Sequence, residues 1–306
     1  MTVAILCSGQ GGQHSGMFDL FSGVPELEPL FAAASDQLGQ DPRRLVQEAD
    51  PAALFTDHAG QILCCIQALA AFTALDTVRP RHAVIAGYSV GELAAWGCAG
   101  SLDMPATLRL AQRRAALMDA AAPKDGGLAA VVGLRRSRLE VIVQRHATYV
   151  AIVNGNDSFV IGGHNDALDA CCREAAASGA HTRRLPVAVP SHTPLLADAA
   201  RAFRIALREA EPRAPRTGFR LLSGIDGEAI HDVETGCDKL AAQMCTTIDW
   251  AACLESCRAA GAELALELGP GTALSRMAAP LFPEGRSRST EEFRTLAGLR
   301  AWLQRP

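Results

Sequence analysis

The sequence predicts an α/β fold in which a large domain is interrupted by a smaller one. Three observations carry that expectation. Short apolar runs, such as residues 3–7 and 83–86, alternate with longer helix-forming stretches, the texture of a sheet covered by helices. The run at 83–86 leads through Gly87-Tyr88-Ser89-Val90-Gly91 into a helical stretch at 92–96, which reads as strand, sharp turn, helix. From residue 124 the texture changes to closely spaced short strands and helices.

Residues 3–7 read as a buried strand that ends in a glycine-rich loop, Ser8-Gly9-Gln10-Gly11-Gly12-Gln13. A phosphate-binding loop is one reading, but no Gly-Lys-Ser/Thr follows and G-x-G-x-x-G is not matched. A loop that brings backbone N–H groups close to a substrate fits better. Residues 26–79 are mostly helical in pattern, broken by Pro29, Pro42 and Pro51. The strand and turn at 83–89 follow, then helices at about 91–99 and 104–121, the second opening on Asp103-Met104-Pro105. Beyond the linker-like Pro123-Lys124-Asp125-Gly126-Gly127, strands are expected at 128–132, 150–153, 158–161 and 182–187, with helices at 138–146 and 165–178. That order, βαββαβ, is ferredoxin-like. It assigns 124–188 to a small inserted domain and 1–123 with 189–306 to the large one. The large domain resumes with a helix at 195–209, a strand at 219–223, helices at 234–245 and 249–260, and a strand at 264–268. It ends in a terminal helix opened by Ser289 and Glu292 in capping-box positions.

Composition narrows the function. The chain has 306 residues, 49% of them apolar, and a net charge of −4. No basic run interleaved with aromatics occurs, so a nucleic-acid partner is not expected. No apolar run approaches the ~20 residues that span a bilayer. The opening apolar stretch is short and has no basic region before it, so a cytoplasmic location without membrane association is expected. Ten cysteines are present without any C-x-x-C spacing, which suits reduced, buried thiols better than a zinc site. No bound metal is expected.

G-x-S-x-G between strand and helix is the context of a nucleophile elbow, with Ser89 exposed at the strand end near the positive end of a helix dipole. A chance match in such a turn is the alternative. A serine hydroxyl is a weak nucleophile and needs a general base and oxyanion donors. Among eight histidines, His192 stands out in the rigid stretch Val189-Pro190-Ser191-His192-Thr193-Pro194, although a surface histidine would read the same way. The N–H groups of Val90 and Gln10 are the expected oxyanion donors. No clear acid lies between Ser89 and His192, which weakens a hydrolase triad. Arg113-Arg114 offers a guanidinium that can hold a carboxylate with two parallel bonds; a solvated helix arginine is the competing reading.

Six motifs then occur in order over nearly the whole chain: Gly9-Gln10-Gly11-Gly12-Gln13, Gly87-Tyr88-Ser89-Val90-Gly91-Glu92, Gln112-Arg113-Arg114 with Met118, Pro190-Ser191-His192, Gln243 with Trp250, and Glu267-Leu268-Gly269-Pro270-Gly271. Together they resemble the malonyl-CoA:acyl-carrier-protein transacylases. The resemblance implies an α/β-hydrolase-like core with a ferredoxin-like insert and no cofactor. It implies that Ser89 attacks the malonyl-CoA thioester and that His192 shuttles the proton. It also implies that Arg114 pairs with the malonyl carboxylate, and that Val90 and Gln10 hold the oxyanion. The main-chain carbonyl of Gln243 would orient the imidazole, and Asn156 would be a further polar group near the mouth.

Three positions, in two of the motifs, depart from the family pattern. Tyr88 and Val90 stand where His and Leu are usual, and Gly12 stands where Ser is usual. Tyr88 would alter the pocket beside the dyad.

These departures, with Ile152-Val153-Asn154-Gly155-Asn156-Asp157-Ser158-Phe159 and the tail from Phe293 to Leu303, resemble the epsilon subunit of bacterial malonate decarboxylase. That subgroup implies a partner, the acyl carrier subunit of the decarboxylase, whose thiol arm derives from dephospho-CoA. The alternatives are a fatty-acid or polyketide malonyl transacylase acting on a phosphopantetheine arm, a serine hydrolase, and a non-catalytic binding subunit. Docking of an acidic carrier is expected to use arginines near the cleft, from among Arg135, Arg136, Arg183 and Arg184, with a solvated surface arginine the competing reading for each.

Overall fold

The computed structural model describes residues 1–305. In chain order its main elements are β1 (Thr2–Cys7), α1 (Glu28–Leu38), α2 (Pro42–Glu48), α3 (Asp57–Ala74), β2 (His82–Gly87), α4 (Val90–Cys98), α5 (Met104–Ala121), β3 (Gly126–Val132), α6 (Arg136–Arg145), β4 (Tyr149–Val153), β5 (Ser158–His164), α7 (Asn165–Ala177), β6 (His181–Arg184), α8 (Ala197–Glu209), β7 (Phe219–Leu221), α9 (Val233–Ala242), β8 (Ile248–Asp249), α10 (Trp250–Ala259), β9 (Ala262–Glu267), α11 (Ala273–Ala278), β10 (Ser287–Ser289) and α12 (Leu296–Leu303).

Five strands make one parallel sheet in the order β10-β9-β1-β2-β7. The central strands β1 and β2 are buried on both faces beyond their first residues, which is why they read as unbroken apolar runs; the edge strands β7 and β10 are only partly buried. Val3, Ile5, Ala83 and Ile85 point into the core shared with α3, α4 and α5. Ala4, Leu6, Val84 and Ala86 point the other way, into a cluster with Trp250, Leu254 and Cys257 of α10. β1 and β2 are in register from Thr2↔His82 to Cys7↔Gly87, so their carboxyl ends finish level. Ligands of open α/β sheets bind outside such ends.

The second sheet has the order β6-β3-β5-β4-β8. Its first four strands give the ferredoxin-like arrangement, with α6 and α7 packed on one face through Leu139, Ile142, Leu168 and Cys171. The other face adds Leu128, Ile152 and Val160 to the cluster around Trp250, so the two sheets share a core. The two-residue β8 runs parallel to β4, with Ile152 opposite Ile248, and stitches the large domain to the edge of the small sheet.

Several local expectations need correction. The strand expected at 182–187 ends at Arg184, because Pro186 has no N–H with which to extend the ladder. Pro29, Pro42 and Pro51 do not break helices; each sits in the first turn of one, where the missing N–H has no partner to lose. Ser289 and Glu292 do form a capping box, but on the short 3₁₀ turn Thr290–Glu292. The terminal helix starts later, capped by Thr295.

The ends of β1, β2 and α4 meet in backbone contact. A Cβ on Gly91 would overlap the carbonyl of Cys7 and stand 2.8 Å from that of Ser8, and a Cβ on Gly87 would overlap the backbone of Gly91. The Tyr88 N–H donates to the Cys7 carbonyl at 3.0 Å, which closes the junction. Gly91→Ala is expected to cost at least ~2 kcal/mol, since the obstructing atoms are backbone and cannot rotate away. Chemical unfolding of the variant checks this; wild-type stability would mean that the junction yields.

Candidate active site

Ser89 occupies the turn between β2 and α4 with φ 56° and ψ −122°, a strained conformation for a non-glycine residue. The turn aims the side chain away from the sheet. In the first turn of α4 the N–H groups of Gly91 and Glu92 donate to the Tyr88 and Ser89 carbonyls at 2.9 and 3.0 Å, so the Val90 N–H is the one left beside the serine.

His192 reaches Ser89 from the loop after β6. Its own φ is 61°. Its N–H donates to the Met244 carbonyl at 2.9 Å, and Thr193 Oγ1 donates to the Pro190 carbonyl at 2.6 Å. The imidazole Nδ1 lies 2.5 Å from the main-chain carbonyl of Gln243, and Nε2 lies 2.8 Å from Ser89 Oγ. A carbonyl oxygen only accepts, so Nδ1 carries the proton and Nε2 presents its lone pair to the serine hydroxyl. The ring is 2% exposed. Burial, with the positive charge of Arg114 adding to it, pushes its pKa down to about 3, so the imidazole is neutral at physiological pH and free to accept the serine proton.

Arg113 is exposed on α5, whereas Arg114, one helical step further round, is 1% exposed. Arg114 Nη1 donates to Gln61 Oε1 at 2.8 Å and Nη2 to Gln243 Oε1 at 3.0 Å, while its Nε has no partner. Among the described residues no carboxylate lies in contact with it. Gln243 Nε2 donates to Glu92 Oε2 at 2.6 Å and to the Ser89 carbonyl at 3.2 Å. Gln61 Nε2 donates to Asp57 Oδ2 at 2.8 Å. Burial pushes the Glu92 carboxyl up to about 7 and raises that of Asp57.

The glycine-rich loop runs beside the elbow. A Cβ on Gly9 would stand 2.7 Å from the Tyr88 carbonyl and 3.5 Å from Ser89 Cβ, so the backbone entering Gln10 lies against Ser89. Ser8 Oγ donates to the buried Glu267 carboxylate at 2.8 Å, and the same carboxylate accepts from the N–H groups of Leu274 and Ser275. This pins the loop to the start of α11. Gly12 lies against the 269–271 turn, where a Cβ would meet the Pro270 carbonyl at 2.6 Å, so this chain has no room for a side chain there.

Tyr88 packs edge-on against Trp250, with ring centroids 5.5 Å apart. Burial raises the pKa of its phenol, and the Asn154 side chain opposes that rise. Asn156 is exposed in the β4–β5 turn, and Asn154 takes the place beside Tyr88. A cleft of about 660 Å³ opens from His192 past Cys245 and Thr247 to Gln144 and Arg136 of α6.

Residues 5–275 match the acyl transferase domain family. The chain belongs to that family. It is an acyltransferase of the malonyl-CoA:acyl carrier protein transacylase type. One relative, a malonyl CoA-acyl carrier protein transacylase of Escherichia coli O157:H7, is 32% identical over 286 residues, spanning 89% of this chain and 90% of the relative. The crystal structure of an acyl-carrier-protein S-malonyltransferase from Burkholderia pseudomallei 1710b aligns with a TM-score of 0.90 at 26% identity, covering 98% of this chain and all of that one. A malonyl-transacylase in complex with a type II polyketide acyl-carrier protein aligns with a TM-score of 0.86 at 27% identity over 94% of each chain.

Gln61, Asp57 and Glu92 were not singled out from the sequence of this acyltransferase. Gln61 lies in an almost wholly apolar helix and is 0% exposed, as is Glu92. A polar residue on the apolar side of a helix was the one signal available.

A neutral His192 makes a pH prediction. Falling pH protonates Nε2 only toward pH 3, so the rate of Ser89 acylation should show no inflection at the ordinary histidine value of 6.5. Any inflection near 7 belongs to Glu92 and should vanish in Glu92→Gln. Acylation followed by mass spectrometry across the pH range checks this, and a limb at the histidine value that survives in Glu92→Gln would contradict the neutral base.

Proposed function

We propose that this acyltransferase moves malonyl from malonyl-CoA, through an ester on Ser89, to the thiol arm of the malonate decarboxylase carrier subunit. Ser89 Oγ attacks the thioester carbonyl as its proton passes to His192 Nε2. The oxyanion takes the N–H groups of Val90 and Gln10. Collapse breaks the C–S bond, and CoA leaves as a thiol with the proton from Nε2. The carrier thiol then attacks the ester, giving its proton to Nε2, and Ser89 regains it on release. Each step balances with no cofactor. The Gln243 carbonyl holds Nδ1–H throughout, so this is a dyad with a neutral helper.

The observation that carries the malonyl reading is Arg114: a buried guanidinium with no carboxylate in contact, close enough to depress the His192 pKa. Uncompensated buried charge is costly, and an acyl group ending in a carboxylate would supply the missing partner. The burial of His192 supports transfer over hydrolysis, because a transferase must keep water from its acyl-enzyme. The buried or half-buried, unpaired cysteines suit the reducing cytoplasm in which we expect the enzyme to act.

The carrier assignment rests on the subgroup motifs, with Tyr88 set between Trp250 and Asn154 beside the dyad. The second reading, a phosphopantetheine carrier of fatty-acid or polyketide synthesis, is favoured by the names of the Escherichia coli relative and of a Burkholderia thailandensis polyketide biosynthesis protein, 28% identical over 303 residues. This chain spans only 25% of the latter. Of the four arginines expected to dock the carrier, Arg135, Arg136, Arg183 and Arg184 are all exposed on the small domain, and Arg136 also lines the cleft that reaches His192.

Ser89→Ala is expected to take up no malonyl, as intact mass after incubation with malonyl-CoA would show; a malonylated variant would remove this serine from the mechanism. Arg114→Ala should lower malonyl transfer at least about a hundredfold more than acetyl transfer, and equal losses would refute the clamp. Transfer of radiolabelled malonyl to the two carrier types decides the acceptor: preference for the decarboxylase subunit supports the proposal, and preference for a phosphopantetheine carrier overturns it in favour of the second reading.

A further inference from the structure

Arg114 is held by two arms of the same design. On one side its Nη1 donates to Gln61, which donates to Asp57; on the other its Nη2 donates to Gln243, which donates to Glu92. Each glutamine accepts from the cation and donates to a carboxyl oxygen, so its amide cannot flip without losing both bonds. The carboxylates attract the guanidinium through space, opposing the effect of burial on it, but neither touches it. The site therefore carries its counter-charge one residue away on each side, with the guanidinium Nε unpaired.

We propose that Gln61 and Gln243 are spacers that set specificity for carboxylated acyl groups, by fixing Arg114 in place while keeping Asp57 and Glu92 out of contact with it. This deepens the malonyl reading and rests on it. A carboxylate in direct contact would form an internal ion pair that the substrate would have to displace, and charge-assisted bidentate pairs of this kind are among the strongest polar contacts. An apolar residue in place of the glutamine would leave the guanidinium without its fixed partners. A neutral acceptor that is itself anchored to an anion meets both needs. Gln61 and Asp57 are thus positioning residues that act through Arg114.

The test moves one charge by one residue. In Gln61→Glu/Asp57→Asn the carboxylate shifts onto the residue that contacts Arg114, net charge is unchanged, and the bond between positions 57 and 61 reverses direction while persisting. Acylation of Ser89 is measured with malonyl-CoA and acetyl-CoA, without a carrier. The malonyl KM should rise about tenfold or more, while acetyl values stay within about threefold. Asp57→Asn alone, which leaves Gln61 against Arg114, should keep the malonyl preference. Equal shifts for both donors, or an unchanged malonyl KM in a folded double variant, would overturn the proposal. If the double variant does not fold, Gln61→Glu alone carries the same expectation, because the raised Asp57 pKa lets one of the two carboxyls stay protonated. A wild-type enzyme without malonyl preference would instead refute the reading on which the proposal rests.

Discussion

Everything at the site depends on the closeness with which α4 starts against the ends of β1 and β2. The backbone of Gly91 touches the carbonyl of Cys7, and Gly87 touches Gly91 in turn. At that separation a strand can turn into a helix within a few residues, and the residue at the turn is forced to positive φ. Ser89 is that residue. The same closeness brings the glycine loop after β1 alongside the elbow, because β1 and β2 end in register. One backbone junction thus sets the position of Ser89 and of the main-chain donors beside it.

The second organising feature is charge held in a dry place. His192, Arg114, Glu92 and Gln243 are all buried, and burial disfavours every ionised form among them. The structure answers in two ways. His192 is left neutral, bonded to a carbonyl that fixes its tautomer and adds no charge. Arg114 stays cationic, with its counter-charges relayed through glutamines. An aspartate on Nδ1, as in a three-residue triad, would add a further buried anion within range of Arg114 and compete with an acidic acyl group for it. A neutral helper avoids that competition.

Legibility in the sequence followed physical scale. The inner strands of the parallel sheet were legible because both faces are buried and the residues run apolar, whereas the edge strand β10, Ser-Arg-Ser, has no apolar run and went unseen. The elbow was legible because only glycine fits two of its positions. The strand expected to 187 overran β6 because Leu185 and Val187 keep the apolar texture going past Pro186, which cannot extend the ladder. β8 went unseen: two residues carry no periodicity, and Asp249 reads more naturally as the cap of α10, which it also is. Asn154 and Asn156 flank the β4–β5 turn and could not be ranked without knowing where it bends. Gln61 and Asp57 were invisible as site residues because α3 and α5 meet only in the folded chain, and nothing local links position 61 to position 114.

In the proposed reaction, the asymmetry between the two ends of the acyl group lets one enzyme be selective and still release its product. At the carbonyl end the groups are main-chain amides and a neutral imidazole, which interact most strongly with the charge that develops as the tetrahedral intermediate forms. At the far end, in the proposed reaction, the buried Arg114 cation holds the acyl carboxylate throughout. The first set lowers the barrier for any acyl group; the second holds only an acidic one. Because CoA and the carrier arm both leave as thiols from the same Nε2 proton, the chemistry is symmetrical about the Ser89 ester. Direction is then set by the concentrations and affinities of the two thiols. In the proposed reaction the cleft that runs from His192 toward α6 is where this chain would distinguish one carrier from another without altering the reacting groups.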